Sequence, residues 1–349
     1  MGYSGNLIGL DIGQSHITAS RLAGDDDGTL RPLQIVEVGL PRGTFDNHGK
    51  VVREDLIVEA IKHLRSYRGL KGKKAVLAVP GSMLSIQPVV RPNSLWGEEL
   101  ISSVKLELEP GLPYDRDLAH IASKELSRDT SEGGVARLLT VAVNKTFPQD
   151  MIELVKKGGL QVVEILPAPI VLPRSVQHES GNEVLLDIGM LSSSVMNISG
   201  GQVHYAQTIS LGSDHFTGAL VDSGFEPDEA ERWKKTHSLV APEGKSDPYP
   251  DQRSALRNAA DSLAEAVYQV MNYDASEGTA SGISRLVLSG GGSMLSGLGG
   301  YLSSSLGLPV EIAEPHPMLR GIEQKNFPRL ALSLALAMTD ENDLKKESK

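Results

Sequence analysis

A chain of 349 residues, 40% of them hydrophobic, holds enough apolar material for two cores and excludes a disordered polypeptide. The net charge of −10 argues against general nucleic-acid binding, which needs basic surface. The absence of cysteine removes disulfides, thiol nucleophiles and thiolate metal sites. Met1-Gly2-Tyr3-Ser4-Gly5 lacks the basic and apolar regions of a leader peptide, and no apolar run reaches the roughly 18 residues of a membrane span. The expectation is a cytoplasmic protein that meets a membrane only through partners.

In chain order, the apolar run Leu7-Ile8-Gly9-Leu10 ends in Asp11-Ile12-Gly13-Gln14-Ser15, a buried strand leading into a tight turn. Residues 17–21 and 33–38 continue a meander around Gly24-Asp25-Asp26-Asp27-Gly28, an acidic tip without calcium-loop spacing. Residues 54–67 place Leu56, Ile57, Ala60, Ile61 and Leu64 on one helical face. A basic turn follows (Lys71, Lys73, Lys74), then a buried strand at 75–79 stopped by Pro80-Gly81.

Residues 82–165 read as a small α+β insertion. It has a strand at 85–90 and a helix opened by Ser94, Glu98 and Glu99 and carried by Leu100, Ile101, Val104 and Leu108. Pro110-Gly111-Leu112-Pro113 ends that helix, a strand pair follows at 119–126 and 137–143, and a helix at 149–157 and a strand at 160–165 complete the block. Beyond Pro167 and Pro169 the opening pattern returns as Val184-Leu185-Leu186-Asp187-Ile188-Gly189-Met190-Leu191-Ser192, with strands at 195–199 and 202–210 around Gly200-Gly201. The repeated strand–turn–strand unit predicts a duplicated architecture.

Residues 214–237 are helical, with Pro227 in a first turn. The loop 241–251 contains Gly244-Lys245-Ser246, which is no P-loop: Leu239 stands where the first glycine is required, and no strand feeds it. A long helix over 254–273 buries Leu256, Ala259, Ala260, Leu263, Val267, Val270 and Met271. After a Ser/Gly loop, the strand 285–288 enters Ser289-Gly290-Gly291-Gly292-Ser293, with a helix expected from near Leu295. Val310-Glu311-Ile312 is a last strand, a helix over 330–338 closes the fold, and a charged tail runs from 340.

Glycine lets backbone amides approach a phosphate, so Gly13 and Gly189 mark two candidate phosphate turns. Gln14 and Ser15 on the first, and Ser192, Ser193 and Ser194 on the second, stand beside them as further donors. Asp11 and Asp187 can hold Mg²⁺ through water. Gly290, Gly291, Gly292 and Ser293 offer room for a flat base. The sequence has no Gly-x-Ser-x-Gly elbow and no zinc-ligand spacing. His16 reads as an ordinary surface residue.

The order of these elements resembles the superfamily of actin and the sugar kinases, in which two Asp-x-Gly hairpins are phosphate elements and a late Gly-rich turn is the adenosine element. The whole chain resembles the PilM family, the actin-like component of type IV pilus assembly, akin to the division protein FtsA. Ala78-Val79-Pro80-Gly81, Glu98-Glu99-Leu100 through Leu106-Glu107-Leu108-Glu109 to Leu112-Pro113-Tyr114, 139–143, 159–163 and 288–293 with Gly297-Leu298 carry that resemblance. It implies an α/β fold of duplicated actin-like (ribonuclease H-like) domains with a small α+β inserted subdomain. The implied layout is a first subdomain over 1–81, completed by 166–180 and 328–345, the insertion over 82–165, a second core over 181–213 and 285–327, and a helical subdomain over 214–284.

The resemblance further implies ATP and Mg²⁺ in the cleft, at most slow regulatory ATPase activity, and a groove near 98–114 for the N-terminal peptide of a PilN-like membrane protein. Contacts with other pilus platform proteins, self-association and a position at the inner face of the cell membrane follow from the same likeness. The chain departs from the family in two places. Where the family often continues Ser-Ser-Val-Lys, it reads Ser15-His16-Ile17-Thr18, and where the long helix often carries a Glu and a basic pair it has Ala266, Tyr268 and Gln269, with Glu265 one position off. These departures motivate the alternative of a nucleotide-free adaptor. A sugar or acid kinase is a third reading, against which the insertion argues.

Overall fold

The computed structural model describes residues 3, 5–70, 74–108, 111–241, 246–276 and 282–341. The basic turn at 71–73, Glu109-Pro110, Gly244-Lys245, most of the Ser/Gly loop (277–281) and the tail beyond 341 lie outside the described residues.

Leu7, Ile8 and Leu10 are buried because their strand sits in the middle of a sheet covered on both faces. That strand, β1 (Leu7–Ile12), pairs antiparallel with β2 (His16–Gly24), which pairs with β3 (Leu30–Gly39). On its other side β1 runs parallel to β4 (Lys74–Val79). An inserted unit follows, with β5 (Leu84–Pro92), β6 (Ala119–Arg128) and β7 (Val135–Asn144). β8 (Gln161–Pro167) then completes the first sheet in the order β3-β2-β1-β4-β8. The second sheet repeats that plan with β9 (Asn182–Ile188), β10 (Ser193–Ser199), β11 (Gln202–Ile209), β12 (Ile283–Ser289) and β13 (Val310–Ile312), in the order β11-β10-β9-β12-β13. In both sheets the first, fourth and fifth strands are parallel and the first three form a meander.

The helices occupy matching places. α1 (Glu54–Ser66) joins the third and fourth strands of the first sheet, and α2 (Gly97–Leu108) covers the inserted sheet, where Val89, Val104, Leu108 and Ala142 bury together. α3 (Thr146–Lys157) leads into β8, and the short α4 (Ala168–Val171) follows it. In the second half α5 (Ser213–Asp222), α6 (Pro227–Thr236) and α7 (Pro250–Ser276) join the third and fourth strands, and α8 (Leu298–Leu306) joins the fourth and fifth. α9 (Phe327–Ala337) comes last.

The expected insertion at 82–165 is too long. β8 is hydrogen-bonded parallel to β4, and Met151, Leu154 and Val155 of α3 bury against Ile57, Ile61 and Leu64 of α1. The inserted sheet therefore spans 84–144, in the order β5-β7-β6. The physical reason is that β4, α3 and β8 form a parallel crossover, which must pack back onto its own sheet.

α9 fills the space between the two sheets. Its Leu330, Ala331, Leu334 and Ala337 bury with Leu22 and Leu30 of the first sheet and Leu185, Met196 and Val287 of the second. It comes so close to β1 that a Cβ on Gly9 would lie 2.0 Å from the Ser333 carbonyl oxygen and 2.4 Å from the Ala337 nitrogen. Ser20 and Ser333 share a buried hydroxyl–hydroxyl hydrogen bond of 2.7 Å at the same contact. Gly81 is another close approach: its Cβ would lie 2.2 Å from Thr208 Oγ1 and 2.6 Å from Ser194 Oγ, so the end of β4 abuts the second sheet.

Gly9→Ala should therefore lower thermal stability by about 3 kcal/mol or more, or abolish folding, since two backbone segments cannot both yield. Gly218→Ala, on an open face of α5 with nothing near its Cβ position, should be neutral or stabilising by about 0.5–1 kcal/mol. Thermal unfolding of the two variants checks the contrast.

Candidate functional site

The two Asp-Ile-Gly turns have the same local structure. The Gly13 N–H donates to the His16 carbonyl and the Gly189 N–H to the Ser192 carbonyl, each at 3.0 Å. Glycine is needed for space: a Cβ would lie 3.1 Å from His16 O in the first turn and 2.8 Å from Ser192 O in the second. Each turn carries its aspartate at the strand end, Asp11 opposite Thr18 and Asp187 opposite Ser194.

The carboxylates interact unfavourably. Burial, then the Asp187 charge, then Glu37 raise the Asp11 carboxyl to about 7. Burial also raises Asp187 to about 6, against a hydrogen bond from the Ser289 hydroxyl. The sequence reading missed Glu37, although register explains it: Asp11, Thr18 and Glu37 form one row across β1, β2 and β3. Thr18 is buried within that row rather than open to a phosphate, and Arg329 of α9 reaches Glu37 at 3.1 Å. Two acids raised by burial, with the Asp187 charge adding to the shift at Asp11, form a set that a divalent cation would discharge, so the residues fit Mg²⁺.

The third element lies beside the second turn. Ser289 pairs with Asp187 across β12 and β9. Gly290 adopts φ 80°, and its Cβ would lie 2.4 Å from Ile188 O and 2.8 Å from Asp187 Oδ1, so both conformation and space demand glycine there. Gly292 packs against Ile188, whereas nothing lies within 4 Å of a Cβ at Gly291. The helix expected from Leu295 begins at Leu298, and Gly291–Met294 forms a single 3₁₀ turn instead. The left-handed Gly297 (φ 85°) separates that turn from α8.

The structure reassigns two of the expected hydroxyl donors. Ser193 is buried and donates to the Leu211 carbonyl, and Ser293 is buried and donates to Gly290 O at 2.7 Å. Ser192 stays half-buried in its turn, Ser194 faces Thr208 at 3.3 Å, and Ser15 Oγ lies 3.0 Å from His16 Nδ1 on the exposed side.

Contacts between the two halves were not foreseen. The Leu191 N–H, in the second turn, donates to Gln14 Oε1 of the first at 3.2 Å. Arg42, just beyond β3, lies 3.9 Å from Asp214 of α5 and 3.8 Å from Glu231 of α6. The Glu-plus-basic-pair pattern sought around Ala266 occurs on α6, where Lys234 Nζ and Lys235 Nζ lie 2.7 and 3.2 Å from the Glu231 carboxylate. Burial pushes Glu231 up, but the hydrogen bond and charge of Lys234, with Thr217 and Lys235, outweigh it and hold its carboxyl low. Lys234 also donates to Ser213 O at 3.0 Å, and the Ser213 N–H donates to Gly189 O, which ties this cluster to the second turn. The spacing Glu231…Lys234-Lys235 is the sequence signal that would have found it. On α7, Glu265, Tyr268 and Gln269 lie on the exposed face.

A family model described as type IV pilus assembly protein PilM matches residues 9–339. The cell division protein FtsA of Streptococcus pneumoniae serotype 2 is 22% identical over 242 residues, covering 62% of this chain and 52% of that protein, about half its length. Among solved structures, the PilM-PilN type IV pilus biogenesis complex superposes with a TM-score of 0.81 at 21% identity, over 95% of this chain and 98% of the other. MreB 5 of Spiroplasma citri bound to AMPPNP superposes with a TM-score of 0.55 at 14% identity, over 98% and 97%. The fold is actin-like.

The raised carboxyls have a measurable consequence. An acid raised in the folded state contributes stability below its unfolded pKa and loses it as pH rises through the folded value, here about 7 for Asp11. In metal-free buffer Asp11→Asn should therefore be more stable than the parent by about 1–2 kcal/mol above pH 7, water at the cleft screening the rest. The gain should shrink as pH falls towards about 4, the unfolded carboxylate range. A constant difference across that window would show that Asp11 is not strained.

Proposed function

We propose, for a chain that belongs to the PilM family of type IV pilus assembly proteins, that it is a nucleotide-binding scaffold of the pilus assembly platform. ATP with Mg²⁺ sits between the Asp11 and Asp187 turns, and the nucleotide-set angle between the lobes tunes the grip on the N-terminal peptide of a PilN-like membrane protein. The observation that carries the reading is the facing pair of raised carboxyls, each on the same glycine turn at the end of an equivalent strand. Asp11 and Asp187 hold the cation through water, Gly13, Ser15, Gly189 and Ser192 line the phosphate chain, and Gly290 to Gly292 border the base. The AMPPNP bound to MreB 5, and the pairing of PilM with PilN in their complex, support the assignment by analogy of fold.

Turnover belongs to this reading only as a slow regulatory step. Association with other platform proteins and with itself, and a place at the inner membrane face reached through its partner, complete it. No helix among the described residues is long and apolar enough to cross a membrane. The nucleotide-free adaptor is the second reading, and the Gln14–Leu191 contact, which joins the two turns without a ligand, favours it.

Thermal unfolding with ATP and Mg²⁺ decides between them. A shift of about 4 °C is expected once ATP exceeds its Kd a hundredfold, and Asp187→Ala should remove it. No shift at millimolar ATP would sink the nucleotide reading and leave the adaptor. For the peptide, Ile101 and Leu106 stand exposed on α2 within the proposed 98–114 region. Ile101→Glu with Leu106→Glu should weaken binding of a synthetic PilN-type N-terminal peptide about tenfold or more while leaving the unfolding temperature unchanged. Unaltered peptide affinity would move the groove elsewhere.

A further inference from the structure

We propose that Gln14 is an internal competitor for the terminal phosphate, and so sets the preference of the cleft between nucleoside triphosphate and diphosphate. The proposal rests on the nucleotide reading above and goes beyond it.

Gln14 follows the glycine of the first turn and reaches the opposite lobe, where its Oε1 accepts the Leu191 N–H at 3.2 Å. Leu191 belongs to the second phosphate turn, one residue before Ser192. A side-chain amide oxygen carries partial negative charge and two lone pairs, so it satisfies that N–H in the way a phosphate oxygen does. The first lobe holds the side chain in position. Its Nε2 lies under Gly49, where a Cβ would stand only 3.0 Å away. Gly49 has φ 79° in a turn fixed by the Asp46 carboxylate, which accepts the His48 and Lys50 N–H groups at 2.9 Å each. The glutamine thus has a seat on one lobe and an acceptor role on the other.

A triphosphate that places its last phosphate between the two turns must displace the Gln14 oxygen from Leu191. A diphosphate, whose chain stops one group short, leaves that hydrogen bond in place. The penalty therefore falls on ATP and spares ADP. Serine or alanine at position 14 is too short to cross to Leu191 and removes the competition. A neutral hydrogen bond of this kind corresponds to roughly a three- to tenfold change in an equilibrium constant.

The test is calorimetric titration of the full chain with ATP and with ADP, each with Mg²⁺, on the parent, Gln14→Ser and Gln14→Ala. Amide hydrogen exchange at Leu191 without nucleotide accompanies it. Both variants should bind ATP about three- to tenfold more tightly and ADP within about twofold of the parent. Leu191 should exchange faster in both variants. An equal change for the two nucleotides, a weakened ATP affinity, or unaltered exchange at Leu191 would overturn the proposal while leaving the nucleotide site standing. Absence of binding for both nucleotides in all three proteins would instead overturn the nucleotide reading, and the competition with it.

Discussion

One helix fixes the distance between the two jaws of the cleft. α9 lies against β1 so closely that only glycine fits at position 9, and the Gly290 N–H donates to its Pro328 carbonyl at 3.0 Å. The Ser289 hydroxyl lies 3.3 Å from the same oxygen, and Arg329 on the next position pairs with Glu37 beside Asp11. The helix touches the strand that carries Asp11, the strand beside the one that carries Asp187 and the Gly290 turn. Its small residues Ala331, Ser333, Ala335 and Ala337 make this approach possible, because larger side chains would push the sheets apart. The position of every candidate ligand depends on that packing.

With the jaws fixed, the electrostatics follow. Two carboxylates are presented at the ends of equivalent strands, where burial raises both, and the Asp187 charge adds to the shift at Asp11. Each sits on a matching glycine turn at a strand end. Glu37 adds to the negative field through the cross-strand row, while Arg329 offsets part of it from α9. Across the mouth, Arg42 and Gln14 link the lobes through the chain's own groups.

Local features were legible and non-local ones were not. The two strand–Asp–Gly turns could be read because the apolar run, the acid and the glycine are contiguous, and the Gly290 turn for the same reason. The limit of the insertion was misread because nothing within 146–167 reveals that its strand pairs with β4. Ser193 was expected to face a ligand, yet it donates to the Leu211 carbonyl just beyond the end of another strand, and Ser293 turns back onto Gly290 within its own 3₁₀ turn. The Glu231 cluster was sought on α7 because helix pattern alone does not say which helix meets the cleft.

The sequence by itself determined the duplicated strand–turn–strand plan, the two acidic turns and the Gly-rich turn, since each rests on periodicity and short motifs that survive without tertiary context, while the actin-like fold and the family came from resemblance along the chain. Only the tertiary structure decided which residues face each other: Asp11 with Asp187, Gln14 with Leu191, Arg42 with Glu231, and Gly9 with Ser333. The physical reason is that these pairs are set by how two sheets dock around α9. That docking is a sum of many side-chain fits over the whole chain, and no single stretch of sequence encodes it.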